Sequence, residues 1–249
     1  MASVYQKKNC AALTFALVVF GLMIACLTVP WFHWSSTFNQ KSSNSVAGTG
    51  ATNVASTVLN STVIMYDLIG TRTTTQKSGS IAAVESYKNL ESSTNPSIFS
   101  TFKLSQAFVL IALILSFSLA VILAVFLLDP IRNKAIFALG MTLTRAILLV
   151  VGLLLVASVV IAFLGFLGIS AAFKKDQSGC TEGPCRAFAG QVNSQFDNGA
   201  VTSNSIWGPQ AGWYVALASA PIALLVVLLV AVNRFPLPID SEASSGEAL

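Results

Sequence analysis

Four unbroken apolar stretches dominate this sequence and restrict what it can fold into. They cover residues 10–30, 104–128, 146–169 and 212–233, and none contains an Asp, Glu, Lys, Arg or His. A hydrocarbon core of about 30 Å takes about 20 helical residues to cross. Backbone groups in lipid must be satisfied within the segment itself, which a helix achieves and an open strand does not. The expectation is an all-α membrane protein, a four-transmembrane-helix bundle. Charge supports it: only 10% of the 249 residues are charged, against about 25% in a soluble domain. So little charge cannot cover a water-facing surface.

The spans divide the chain into an N-terminal tail (1–9), a first long loop (31–103), a short connection (129–145), a second long loop (170–211) and a C-terminal tail (234–249). The third span has two readable starts. Either a helix begins near Ala135 and carries Arg145 at the interface, or 129–145 is a short amphipathic connector. The first span follows Lys7-Lys8 as a signal peptide would, but its apolar run exceeds the usual 7–15 residues, which reads as an uncleaved anchor.

Both termini fall on one side of four spans. Lys7, Lys8, Arg132, Lys134, Arg145 and Arg234 cluster on short segments of that side, which the positive-inside rule makes cytoplasmic. The two long loops are then extracellular. Asn60-Ser61-Thr62 in the first is a glycosylation sequon. Cys180 and Cys185 lie together in the second, and their placement reads as one disulfide, with two free thiols as the other reading. Trp31, Trp34, Trp207, Trp213 and Tyr214 gather at the same face and are expected as interfacial anchors. Cys10, at the cytoplasmic boundary, is a palmitoylation candidate. The layout places the protein in the plasma membrane, with an endomembrane as the alternative.

The first loop is linker-like between Lys41 and Ser56. The β-branched run from Val58 to Ile69 suggests a strand, and 81–87 a short helix or strand. The expectation is a small extracellular β-rich region built from the first loop. In the second loop, Gly179 and Gly183-Pro184 supply the turn that a four-residue spacer between cysteines needs.

Chemistry-bearing residues are scarce. Ser105, Ser116, Ser118, Ser158 and Ser219 lie in the spans without an acid or base near them in sequence, and hydroxyls there usually bond backbone carbonyls. The only histidine, His33, sits among aromatics. No catalytic residue, metal site, cofactor or small-molecule substrate is expected. No Lys or Arg run exceeds two residues, so no nucleic acid is expected either. The expected partners are the lipid bilayer and, laterally, further copies or other membrane proteins. The final Glu247-Ala248-Leu249 loosely fits a PDZ-type ligand.

The Gly212-Trp213-Tyr214 opening of the fourth span, after Trp207-Gly208-Pro209, and the Pro30-Trp31 exit of the first resemble features of the claudin and peripheral-myelin-protein superfamily. The loop layout is similar too. Claudins carry two cysteines and a Gly-Leu-Trp signature in the first loop, whereas this chain has no cysteine between Cys26 and Cys180. The resemblance implies a four-helix fold. Two large, weakly charged, stapled loops on a bundle lacking polar machinery lead to the expectation of a non-enzymatic role, organising membrane domains or mediating cell-surface contact through the loops. A channel or transporter subunit whose pore forms on oligomerisation is the alternative function.

Overall fold

The computed structural model describes residues 4–45, 52–68, 70–77, 82–127, 141–180, 182–196 and 200–232. In chain order these form α1 (Val4–Thr28), β1 (Phe32–Ser45), β2 (Thr52–Tyr66), β3 (Gly70–Lys77), β4 (Val84–Asn89), α2 (Pro96–Leu127), α3 (Met141–Phe166), α4 (Ile169–Asp176), a 3-10 turn (Gly183–Cys185), β5 (Gly190–Phe196), β6 (Val201–Pro209) and α5 (Ala211–Val232). Four helices (α1, α2, α3 and α5) are long and apolar enough to cross a membrane, and the protein is a membrane protein. The region 129–140, where the two readings of the third span diverge, lies outside the described residues, as do Arg132, Lys134, Arg234 and the C-terminal tail.

The fold is not all-α. A six-stranded antiparallel sheet, ordered β4-β3-β2-β1-β6-β5, makes it a mixed helix-and-sheet protein. Two of the strands come from the second loop, whereas the β-rich region was expected from the first. Of the segment read as linker-like, 41–56, the described residues 41–45 instead finish β1 and 52–56 start β2, and the two strands pair from Phe32↔Tyr66 to Ser45↔Thr52. Ser, Thr and Asn tracts carry weak local signals, and here cross-strand partners decide their conformation.

The chain divides into two compact units. One comprises Met1–Gly21, Ile111–Ala157 and Ser219–Leu249. Within it Phe20 meets Phe117 at 5.6 Å, and the Arg145 guanidinium donates to the carbonyl of Ala231 in the last turn of α5. A cation is favourable at that negative helix end. The other unit, Leu22–Leu110 and Ser158–Ala218, holds the whole sheet, α4 and the adjoining parts of the four long helices.

The long helices are apolar all round, but their buried positions recur at alternating spacings of three and four. In α1 these are Ala12, Ala16, Val19, Met23 and Cys26; in α5 they are Ala216, Ser219, Ala223, Val226 and Val230. That 3.5-residue repeat belongs to helices packed at shallow crossing angles. Small side chains on the stripe let backbones approach. Gly152 shows how closely: a Cβ there would come within 2.8 Å of Val227 Cγ2.

Helix α1 stops at Thr28 because Pro30 cannot continue it. Helix α2 begins at Pro96, eight residues before the apolar run, with proline at its first position, where no backbone donor is needed. Helix α3 ends at Phe166, and after Leu167-Gly168 the chain restarts as the amphipathic α4.

Candidate functional site

The sheet is the one large structure that both long loops build together, so the candidate site is its surface and edges. Strands β1 and β6 pair antiparallel through nine residues, from Phe32↔Pro209 to Gln40↔Val201. This ladder places both loops at the same end of the helices.

Cross-strand partners share a face of a sheet. One face carries Phe32 and Trp34 of β1, Tyr66 and Ile64 of β2, and Trp207 of β6, and its helix-proximal row seats the sheet. Phe32 lies 5.7 Å from Phe173 of α4, and Tyr66 stacks on Phe102 of α2 at 5.8 Å. Phe166 of α3 meets Phe102 at 5.0 Å and Trp31 at 5.3 Å. Trp31, Phe32, Phe102, Phe166 and Phe173 are all fully buried. Aromatic pairs at these distances add about 0.5–1.5 kcal/mol each beyond area burial, so the sheet is firmly fixed to the helix ends. Burial pushes the Tyr66 hydroxyl up to about 12, so it stays neutral.

The tryptophans expected as interfacial anchors are largely used inside the protein. Trp31 is fully buried and donates its indole N–H to the Cys26 carbonyl at 2.7 Å. Trp207 is buried and donates to Ala187 at 2.9 Å, and the half-buried Trp213 donates to Phe163 at 3.1 Å. Trp34 is half-buried, its Nε1 enclosed without a protein partner. Only Tyr214 is well exposed, at 54%. The glycines beside these indoles follow from the packing. A Cβ on Gly212 would strike the Trp31 ring, and one on Gly190 would lie 2.7 Å from Trp207 Cζ2.

Cys180 and Cys185 form a disulfide with their Cα atoms 6.1 Å apart. The bridge closes around Gly183, whose φ of +72° suits glycine. Beside it a pocket of about 360 Å³ is lined by Glu182, Arg186, Gly190, Gln191, Val192 and Trp207. A smaller pocket of about 180 Å³ near β4 is lined by Tyr66, Thr71, Lys88, Glu91, Asn95 and Gln177 among others.

Asn60 sits within β2 opposite Phe38 and Lys77. It is half-buried, with its Oδ1 enclosed and without a protein partner. Cys10 is an exposed free thiol, and Cys26 a buried one. His33 Nδ1 lies 3.1 Å from the Gly208 carbonyl oxygen and 2.7 Å from Gln210 Nε2. Ser105 donates to the Ala162 carbonyl at 3.0 Å, while Ser116 and Ser118 donate to Leu113 and Ile114 in their own helix. Among the described residues, no three His, Cys, Asp or Glu side chains gather as a metal site would need.

The sheet face opposite the aromatic seat exposes Met65, Tyr87 and Ile206, at 38%, 53% and 41%; Arg72 lies between Met65 and Tyr87 in the register, and Glu85 shares the face with Thr, Ser, Asn and Gln side chains. The outer edges belong to β4, exposed throughout, and to β5. Sequence reading missed β1, β3, β5 and β6 as parts of this surface. The available signal was the Thr-rich run of β3 (GTRTTTQK) and the alternation in β6.

The chain matches no protein-family model and no curated protein.

Proposed function

We propose that this chain is a non-enzymatic, claudin-like tetraspan membrane protein that organises membrane domains or mediates cell-surface contact through its two extracellular loops. The β1–β6 ladder carries the reading, because it joins the loops into a single sheet at one end of the four apolar helices. A broad, weakly charged, rigidly seated sheet suits contact with another protein surface better than turnover of a small molecule. The resemblance to the claudin and peripheral-myelin-protein superfamily rests on the loop layout and the Gly212-Trp213-Tyr214 opening.

The disulfide supports placing the loop end outside the cell, since such bonds persist on the oxidising side of a membrane. The termini are then cytoplasmic, the residence is the plasma membrane, Asn60 carries a glycan and Cys10 is available for acylation.

The test is stepwise photobleaching of the tagged protein on intact cells, with glycosidase treatment of wild type and Asn60→Gln in parallel. Assemblies of several copies, or enrichment where expressing cells touch, are expected, together with a glycan shift lost in the variant. Single copies spread evenly over free and touching membrane alike would overturn the reading.

A further inference from the structure

The direction of the two sheet edges points to how copies meet. Every neighbouring pair in the sheet is antiparallel. Strand β1 leaves α1 after residues 29–31, so it runs away from the helix ends, and β6 returns to α5 after Gln210. Alternation then makes β5 run away from the helix ends and β4 run towards them. Six alternating strands thus leave two edges of opposite direction.

Copies in one bilayer share the direction of their helices and hence of their strands. A β5 edge and a neighbour's β4 edge therefore meet antiparallel, with neither molecule turned over. Two β5 edges in one membrane would be parallel, and could become antiparallel only between opposed membranes.

The chemistry of the edges agrees. Natural edges are usually guarded by charge, proline or a bulge, because their free backbone donors and acceptors template further pairing. The seven residues of β5 (GQVNSQF) include no charge and no proline. The β4 edge (VESYKN) carries Glu85 and Lys88 within the strand, and further charges flank the helix-proximal ends of both edges. Lys88 and Glu91 mark β4, with only an exposed 3.9 Å ion pair between them, which holds neither firmly. Glu182 and Arg186, both exposed, line the pocket where β5 begins. Set side by side, the helix-proximal Lys88 and Glu91 of one copy face Glu182 and Arg186 of the next, so that each cation can meet an anion.

We propose that copies of this chain in one membrane join edge to edge, β5 of one beside β4 of the next, so that the antiparallel sheet continues from copy to copy. The partner is a second copy, and the proposal rests on the lateral-assembly reading above. The interface is head-to-tail, so each copy keeps a free edge for the next and assembly continues past the dimer into rows or rings. Main-chain hydrogen bonds would hold it, as in other strand additions.

Cysteine pairing on intact cells tests this. In a Cys10→Ser background, Glu85→Cys on β4 is combined in turn with Gln191→Cys, Asn193→Cys or Gln195→Cys on β5. All four positions are exposed, and the register places them on one face. Mild oxidation of chains carrying both cysteines is expected to give a ladder of dimers, trimers and higher species in at least one combination. Co-expressed single-cysteine chains are expected to stop at dimers, and a chain with one cysteine to remain monomeric. Adding Gln191→Lys and Gln195→Lys to the Asn193→Cys pair is expected to abolish the ladder while leaving surface delivery unchanged. Absence of a ladder in all three combinations, or cross-linking through Asn193→Cys alone, would overturn the edge-to-edge arrangement. Multi-copy assemblies persisting by photobleaching in the first case would overturn it alone. Loss of both ladder and assemblies, with no contact enrichment, would overturn the parent reading as well.

Discussion

The carboxylate of Asp176, the last residue of α4, accepts the backbone N–H of Ile98 at 2.7 Å and that of Ser97 at 3.1 Å in the first turn of α2. Pro96 has no N–H to offer, and the Ser97 and Ile98 donors at a helix start lack intrahelical acceptors. A side chain from 78 residues away thus caps α2, and its negative charge sits at the positive helix end.

Asp176→Asn keeps one acceptor oxygen but loses the charge and the second acceptor, and is expected to destabilise the folded protein by about 1 kcal/mol, the scale of one hydrogen bond. Burial pulls the Asp176 carboxyl upward, but the hydrogen bonds from Ile98 and Ser97 and the charge of Lys175 outweigh it and hold the pKa below its ordinary 3.8. The sign follows from linkage: the stabilisation is fully present above the ordinary value and is lost as pH falls through the lowered one. Thermal melts in detergent at neutral pH and down through pH 3 check this. The difference between wild type and variant should shrink on acidification; a constant difference would mean that the carboxylate charge is not what stabilises the cap.

Gly212→Ala is expected to cost about 1–3 kcal/mol, the range for overpacking, because its Cβ runs into the fully buried Trp31 indole. Gly21→Ala is the control: nothing lies within 4 Å of its added Cβ, and alanine in a helix is favoured over glycine by up to about 1 kcal/mol. Melting temperatures should fall in the first variant and hold or rise in the second. Equal behaviour would contradict the Trp31 contact.

How much could be read beforehand follows from where the signals lie. Length and apolarity alone mark the four long helices. The start of α2 was missed because its first turn is held by Asp176 from the second loop, a contact that leaves no local trace. The inward stripe was also invisible: Leu153 and Leu154 are exposed beside buried Leu155, and in lipid a leucine suits either position. Of the sheet, only the β-branched end of β2 and a weak hint of β4 stood out. Strand β1 is mostly Ser, Thr, Asn and Gln, and its decisive partner in β6 lies some 170 residues away. The cysteine pair was legible because it combines short spacing with turn residues. The internal use of the tryptophans was not legible, because composition does not show that an indole N–H is engaged by the Cys26 or Ala187 carbonyl.

Ser105→Ala removes the bond from Ser105 Oγ to the Ala162 carbonyl, between α2 and α3. Interhelical hydrogen bonds of this kind contribute on average about 0.6 kcal/mol and at most about 1.7. A small drop in melting temperature is expected, with surface delivery unchanged. Loss of the folded protein would assign Ser105 a larger role than its single bond accounts for.

Removing the disulfide separates local from global stability. The bridge closes a ring of six residues, from Cys180 to Cys185, and the chain-entropy relation assigns a ring that short about 2 kcal/mol. Gly183, Pro184 and Cys185 are buried in this turn while Arg186 is exposed, so opening should be confined to the loop and the neighbouring start of β5. Two kcal/mol is about a thirty-fold change in an opening equilibrium. Trypsin should therefore cleave after Arg186 up to about thirty-fold faster in Cys180→Ser/Cys185→Ser than in wild type, with the thermal melt of the helices little altered. An unchanged cleavage rate would mean that buried contacts around Pro184 hold the loop without the bridge. A collapse of the whole melt would tie the bridge to the aromatic seat of the sheet, through Phe188 and its 5.5 Å contact with Trp213.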